Sequence, residues 1–305
     1  MLKYVIKRVL MGVVALFLVA TITFFLMNLV PGGPFEAEKA VSPAALASLE
    51  AKYGLDKPLF EQFWNYITHA LKGDFGPSIK QRGWEVSSII AIKFPVSARL
   101  CGITVLVALA IGVPLGCVAA IRRGKWLDSL IRVFATVGIA VPGFVVCTVI
   151  LYIFGVNLQL LPTLGLTSPL HYIMPVFSLA FYPTAYIARM MRSTMLDTLN
   201  QDYIRTARSK GVAYGKVVFK HAVRNAILPI VTYLGPMMAF MMTGNFVVEN
   251  VFVIPGLGKE FISSITNRDY TMIMGTTIFL ATILITLNVI VDIAYKVIDP
   301  RITLD

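Results

Sequence analysis

Residues 96–120 read VSARLCGITVLVALAIGVPLGCVAA, a stretch in which apolar side chains run almost without interruption. A helix rises 1.5 Å per residue, so about 20 such residues cross the ~30 Å hydrocarbon core of a bilayer. No water reaches the backbone there, so each N–H and C=O must be bonded within its own segment, and the stretch is predicted to be a helix. Working outward, five further runs share this character, and spans are expected at residues 9–30, 96–120, 131–155, 173–191, 230–252 and 272–298. They are too long and continuous for barrel strands. Apolar residues make up 57% of the chain and charged ones 14%, far from the balance of a soluble domain. The expected fold class is an all-α polytopic membrane protein with six transmembrane helices. Residues 1–30 would be an N-terminal transmembrane helix, 31–95 an extracytoplasmic helical loop domain, and 96–305 the main transmembrane domain with a large loop at 192–229.

A net charge of +11 would point to nucleic acid in a soluble protein; here its distribution points to topology, and no nucleic-acid partner is expected. Lys3, Lys7 and Arg8 precede the first run, which is longer than a signal-peptide core and lacks a cleavage-like Ala-x-Ala site, so it reads as a retained anchor. Arg122, Arg123 and Lys125 follow the second run, while residues 156–172 hold neither Lys nor Arg. The positive-inside rule places the N-terminus, the 121–130 linker and the 192–229 loop in the cytoplasm, and six spans return the C-terminus to the same side. Long loops cross regardless of charge, so 31–95 falls outside.

Within the basic loop, Arg205, Arg208, Lys210, Lys216, Lys220 and Arg224 stand against the single acid Asp202 between Asp202 and Pro229. Glycine tolerates positive φ, so two short helices broken at Gly211 are predicted. A generic basic loop and a docking element for a soluble partner both fit. In 31–95, a helix is expected from Ser42-Pro43 to Gly54. A second should follow Pro58, with Phe60, Phe63, Trp64, Ile67 and Leu71 on one face and Gly73 as its stop. A cap on the membrane domain, a membrane-surface helix and a contact for an outside partner all fit it.

Signals for chemistry are sparse. The Gly-Lys pairs at Gly124, Gly215 and Gly258 are followed by Trp126, Val217 and Glu260, so no phosphate-binding loop is present. His69, His171 and His221 are scattered, and Cys101, Cys117 and Cys147 sit in spans without metal-like spacing, so no catalytic, cofactor or metal residue is assigned. Intramembrane charge is costly and therefore informative. Asp292, one turn from Asn288, reads as a polar contact inside the bundle or as an ion relay. Arg189 and Arg192 are expected to mark the cytoplasmic end of the fourth span, where long side chains snorkel. Met237, Met238, Met241 and Met242 lead into Thr243, Gly244 and Asn245. Core packing explains them; so does a pliable transport wall, with Met238 and Met241 against varied side chains and Thr243 or Asn245 bonding a peptide backbone.

The motif Arg205-Thr206-Ala207, then Gly211, then Leu228-Pro229 resembles the EAA loop of ATP-binding-cassette (ABC) importer permeases. Arg205 replaces the motif's glutamate and the later spacing is longer, both as in the peptide/nickel branch. Tyr53 to Leu59 (YGLDKPL), Gly73 to Ser78 (GDFGPS), Pro255-Gly256-Leu257-Gly258, Asn267-Arg268-Asp269-Tyr270 and Asp299-Pro300-Arg301 are similar to that branch in the same order. Gly73 to Ser78 with Phe94 to Ala98 (FPVSA) most resembles the B-type permeases of oligopeptide transporters. The resemblance implies a type I ABC importer permease fold with an extracytoplasmic insertion between helices 1 and 2, in a bacterial inner membrane. It implies a homologous second permease, two cytoplasmic ATPase subunits that hold ATP and Mg, and an extracytoplasmic peptide-binding protein, with no cofactor in this chain. Asp202, Tyr203, Arg205, Thr206, Ala207, Lys210 and Gly211 would then form the ATPase-coupling element of an alternating-access cycle. Oligopeptides are the expected cargo; dipeptides, nickel chelates and glutathione-like molecules are alternatives. An ion-coupled secondary transporter is the distant one, with only Asp292 to serve it.

Overall fold

The computed structural model describes residues 2–35 and 43–298. Ser42 and Asp299-Pro300-Arg301 lie outside the described residues, as do the side chains of Thr243 and Asp292. Among the described residues every regular element is a helix, with one isolated bridge between Pro77 and Glu85. In chain order these are α1 (Leu2–Leu29), α2 (Pro43–Tyr53), α3 (Leu59–Ala70), α4 (Val86–Ile121), α5 (Trp126–Ala140), α6 (Gly143–Ile150) and α7 (Ile173–Leu199). There follow α8 (Asp202–Ser209), α9 (Tyr214–Ala226), α10 (Leu228–Gly244), α11 (Phe246–Val251), α12 (Leu257–Asn267) and α13 (Tyr270–Ile298).

Three segments are long and apolar enough to cross a membrane: Val5–Leu29, Val86–Ile121 and Tyr270–Val291. Two bent pairs, α5 with Gly143–Asn157 and α9 with Leu228–Met242, raise that number to five if each pair counts as one span. The expected continuous span at 131–155 is therefore broken, by 102°. Pro142 has no N–H to donate and forces its predecessor out of helical backbone, and Val141 accordingly sits at φ −80°, ψ 124°. Helix α7, expected as a span at 173–191, runs on to Leu199 and is too polar to pass on composition. Its polar residues divide: Ser178, Thr184 and Thr198 are enclosed by protein, while Tyr182, Arg189 and Ser193 are exposed.

The chain divides into two compact units. The first comprises residues 1–97, 242–246 and 255–289. Its core joins Ala20 and Phe24 of α1, Phe63 of α3, and Met274 and Ile278 of α13; Phe24 and Phe63 meet edge to face at 5.4 Å. A second cluster joins Val86, Ile89 and Ile90 of α4 to Leu257, Met272 and Leu280. Only part of the apolar face expected on α3 turns inward: Phe63, Tyr66, Ile67 and Ala70 pack, whereas Phe60, Trp64 and Leu71 stay exposed. Both sets obey the i, i+3, i+4, i+7 spacing, and the face that turns inward is rotated round the helix from the expected one. Buried Asp269 ties this unit together. It accepts hydrogen bonds from the Ser78 hydroxyl, from the Ile79 and Lys80 amides at 3.2 Å each, and from Thr271 and the Met272 amide at 3.0 and 3.1 Å. It thus caps α13 and anchors the preceding loop.

The second unit comprises residues 98–241, 247–254 and those from 290 onward, with α7 at its centre against α5 and α6. Small residues allow close helix approach, as usual between membrane helices. A Cβ on Gly116 of α4 would lie 2.6 Å from the Ala188 carbonyl oxygen of α7. Arg192 does not snorkel. It forms a two-pronged pair with Asp128 of α5, at 2.6 and 2.9 Å, and the Gly124 amide donates to the same carboxylate at 2.9 Å. Asp128 is 1% exposed, so removing its partner strands a buried charge. Arg192→Ala is expected to cost about 3–5 kcal/mol, read as a lower melting temperature in detergent, with much of the loss recovered in Asp128→Asn/Arg192→Gln.

Candidate functional site

The basic loop is a hairpin of α8 and α9. Asp202 lies in the first turn of α8 and Arg208 in its last, each matching the helix dipole. The turn is a Schellman motif: the Val212 amide donates to the Ala207 carbonyl at 3.2 Å and the Gly211 amide to the Arg208 carbonyl at 2.9 Å. That geometry requires positive φ at Gly211, which is +74°. The break predicted there is present. Ile204 is fully buried and anchors α8, while the Asn225 side-chain amide donates to the Tyr203 hydroxyl at 2.7 Å and joins α8 to α9. The Thr194 hydroxyl donates to the Ala226 carbonyl at 2.8 Å, fastening α9 to α7. Val217, Val218 and Ala222 bury the inner face of α9 through one wide π turn.

Six cations remain on the outer face, Arg205, Arg208, Lys210, Lys216, Lys220 and Arg224, all exposed. Thr206 turns back on the Asp202 carbonyl at 3.0 Å, Ala207 is half-buried, and Arg205 lies 3.5 Å from Asp202 at the surface, where such a pair contributes little. Tyr203, Tyr214 and Phe219 are exposed among the charges, with Arg208 over the Tyr214 ring at 5.8 Å. The hairpin is a pinned body whose outward face is basic and aromatic. It can press on another protein; it holds no arrangement for bond-breaking. No cluster that could hold a metal occurs among the described residues.

The residues considered for a transport wall are dispersed. Met241 is buried and Met238 half-buried on α10, while Asn245 is buried with no partner on its side-chain nitrogen. Asn288 is half-buried on α13. A more continuous polar surface, missed in the sequence, runs along α7. Tyr182, Tyr186, Arg189 and Ser193 recur at i, i+4, i+7 and i+11, so they share one face. Tyr182, Arg189 and Ser193 are exposed. Tyr186 stacks on Tyr182 at 6.2 Å and meets Tyr233 of α10 at 4.5 Å. The spacing was present in YPTAYIARMMRS, but Arg189 was read as a span end rather than one point of a stripe.

Residues 112–304 match the family described as "Binding-protein-dependent transport system inner membrane component", and residues 1–100 match the N-terminal part of the binding-protein-dependent transport system membrane component. The chain is 44% identical over 304 residues to the dipeptide transport system permease protein of Bacillus subtilis, covering 100% of this chain and 99% of that one. It is 41% identical to the oligopeptide transport system permease protein of Haemophilus influenzae, covering 99% of each. Its fold is similar to a chain of the MetNI methionine ABC transporter in inward-facing conformations, with TM-score 0.52 and 16% identity over 67% of this chain and 95% of that chain.

Proposed function

This chain belongs to the binding-protein-dependent transport system inner membrane component family, and from that premise we propose that it is a permease subunit of an ABC importer for peptides. The observation that carries this is end-to-end similarity to permeases named for dipeptides and oligopeptides, at 44% and 41% identity. Oligopeptides are the cargo we favour; the dipeptide reading stands beside it because a dipeptide permease matches over its whole length. The binding protein that delivers the cargo decides between them.

The subunit works within a complex: a homologous second permease, two cytoplasmic ATPases that bind ATP and Mg, and an extracytoplasmic peptide-binding protein. In this reading the chain spans the membrane six times, with α7 as the sixth span beside the five candidates. Both termini and the 192–229 loop face the cytoplasm, and 31–95 forms an outer cap, since long loops cross regardless of charge. The pinned, basic α8–α9 hairpin suits a lever: closure of the ATPases on ATP pulls it and rocks the permease halves between outward and inward access. Asp202, Tyr203, Arg205, Thr206, Ala207, Lys210 and Gly211 carry this contact.

The path is lined by the polar stripe of α7, because polar groups exposed on a membrane helix belong against water rather than lipid. Met238 and Met241 extend the wall. Met238→Ala with Met241→Ala is expected to lower uptake several-fold while the complex still assembles, compared by transport in vesicles and by yield of complex. Loss of expression alone would place both methionines in the packing instead. Purification in mild detergent followed by mass spectrometry tests the assembly: a second permease and two ATPase chains should accompany this subunit. Recovery of this chain by itself would oppose it.

A further inference from the structure

We propose that the cleft between α5 and α7 receives the C-terminal carboxylate of the peptide in transit, with Arg189 as the group that binds it. This rests on the peptide-importer reading above. The cleft has a volume of about 370 Å³ and is lined by Arg132 and Thr136 of α5 and by Arg189, Arg192 and Ser193 of α7. Three arginines thus line one cleft in a unit otherwise rich in apolar side chains. The single carboxylate behind them, Asp128, is taken: Arg192 grips it at 2.6 and 2.9 Å, and Arg132 approaches it at 3.7 Å. Among the described residues no carboxylate pairs with Arg189, whose side chain is exposed. Helix α7 continues ten residues beyond it to Leu199, so Arg189 sits within a regular helix that fixes its direction.

A planar guanidinium free on its outer edge matches a carboxylate with two parallel N–H···O bonds. The C-terminal carboxylate is the one anion that every unmodified peptide carries, whatever its side chains, so one fixed arginine can serve a mixed cargo. On α7 the groups next to Arg189 along its own face are Tyr182 and Tyr186, which offer hydroxyls and ring faces to a peptide. Ile131 and Ala135 of α5 line the other side of the cleft, and an anionic lipid headgroup is the competing occupant that the test separates.

The test compares uptake of tetra-alanine and of its C-terminal amide by the whole importer in vesicles, with wild-type subunit, Arg189→Gln and Arg189→Lys. The loss caused by Arg189→Gln is taken separately for each peptide, which cancels any preference of the binding protein. The expected result is a loss of at least about tenfold for the free acid, as for a charge-assisted bond, and of less than about twofold for the amide. Arg189→Lys should keep most of the preference. Equal losses for both peptides, or none for either, would overturn the carboxylate site while leaving the importer reading intact. An equal loss joined to a dependence of wild-type uptake on anionic lipid would assign the cleft to a headgroup instead. The same comparison is run with di-alanine and its amide, and wild-type vesicles that take up none of the four peptides would overturn both readings.

Discussion

Gly211→Val is expected to abolish peptide uptake while the assembled complex continues to hydrolyse ATP. Gly211 sits at φ +74°, and a Cβ there would meet nothing within 4 Å. The effect is therefore conformational rather than steric crowding. A branched residue in the left-handed region costs about 1–3 kcal/mol, and the chain escapes by abandoning the two turn bonds from Gly211 and Val212. The α8–α9 hairpin then loses its fixed angle, and a lever that bends does not transmit force. A bias of 1.4 kcal/mol is tenfold in an equilibrium, so peptide taken up per ATP hydrolysed should fall by about tenfold or more. Gly211→Asn should be nearly silent, because asparagine tolerates the same backbone. The pair separates a demand for φ from a demand for smallness. Normal uptake per ATP in Gly211→Val would remove the hairpin from the coupling path.

Asp269→Ala should give the largest loss of stability in the first unit. The carboxylate is 2% exposed and is met by the Ser78 hydroxyl, the amides of Ile79, Lys80 and Met272, and the Thr271 hydroxyl. Truncation leaves several buried donors without acceptors, each costing about 1–3 kcal/mol in part offset by relaxation, and removes the N-cap of α13. A total of about 3–5 kcal/mol is expected, seen as early thermal unfolding in detergent and lower yield of complex. Asp269→Asn keeps one carbonyl oxygen and should recover part of it. A melting temperature for Asp269→Ala equal to wild type would show that the loop at 77–81 is held by other contacts.

The sequence announced its elements where local chemistry decides them. Gly211 ended a helix because few residues take that φ as cheaply as glycine, and Pro58 preceded one because proline fits the start of a helix. The long apolar runs became α1, α4 and α13 because lipid permits no alternative. What depends on partners distant in the chain was less legible. Pro142 was visible, yet average hydropathy carried the reading across it, and the 102° break followed from its missing donor. Arg192 read as a snorkelling residue until α5 brought Asp128 beneath it. Asp269 was noticed as part of a family pattern, but its role as a cap needed the loop at 77–81 to fold back on it. The stripe on α7 escaped for a related reason. A window average sees Tyr182, Tyr186, Arg189 and Ser193 as interruptions, whereas a helix gathers them on one side.

The central claim, that this subunit conducts peptides for an ATP-driven importer, is tested most directly by reconstitution. The chain, its partner permease and the two ATPases are placed in vesicles with ATP enclosed and the binding protein outside, and entry of labelled peptide is followed. The predicted result is accumulation that needs ATP and the loaded binding protein and survives collapse of the proton gradient. Uptake that stops when the proton gradient is dissipated, with ATP maintained, would contradict the account and return the ion-coupled transporter to first place.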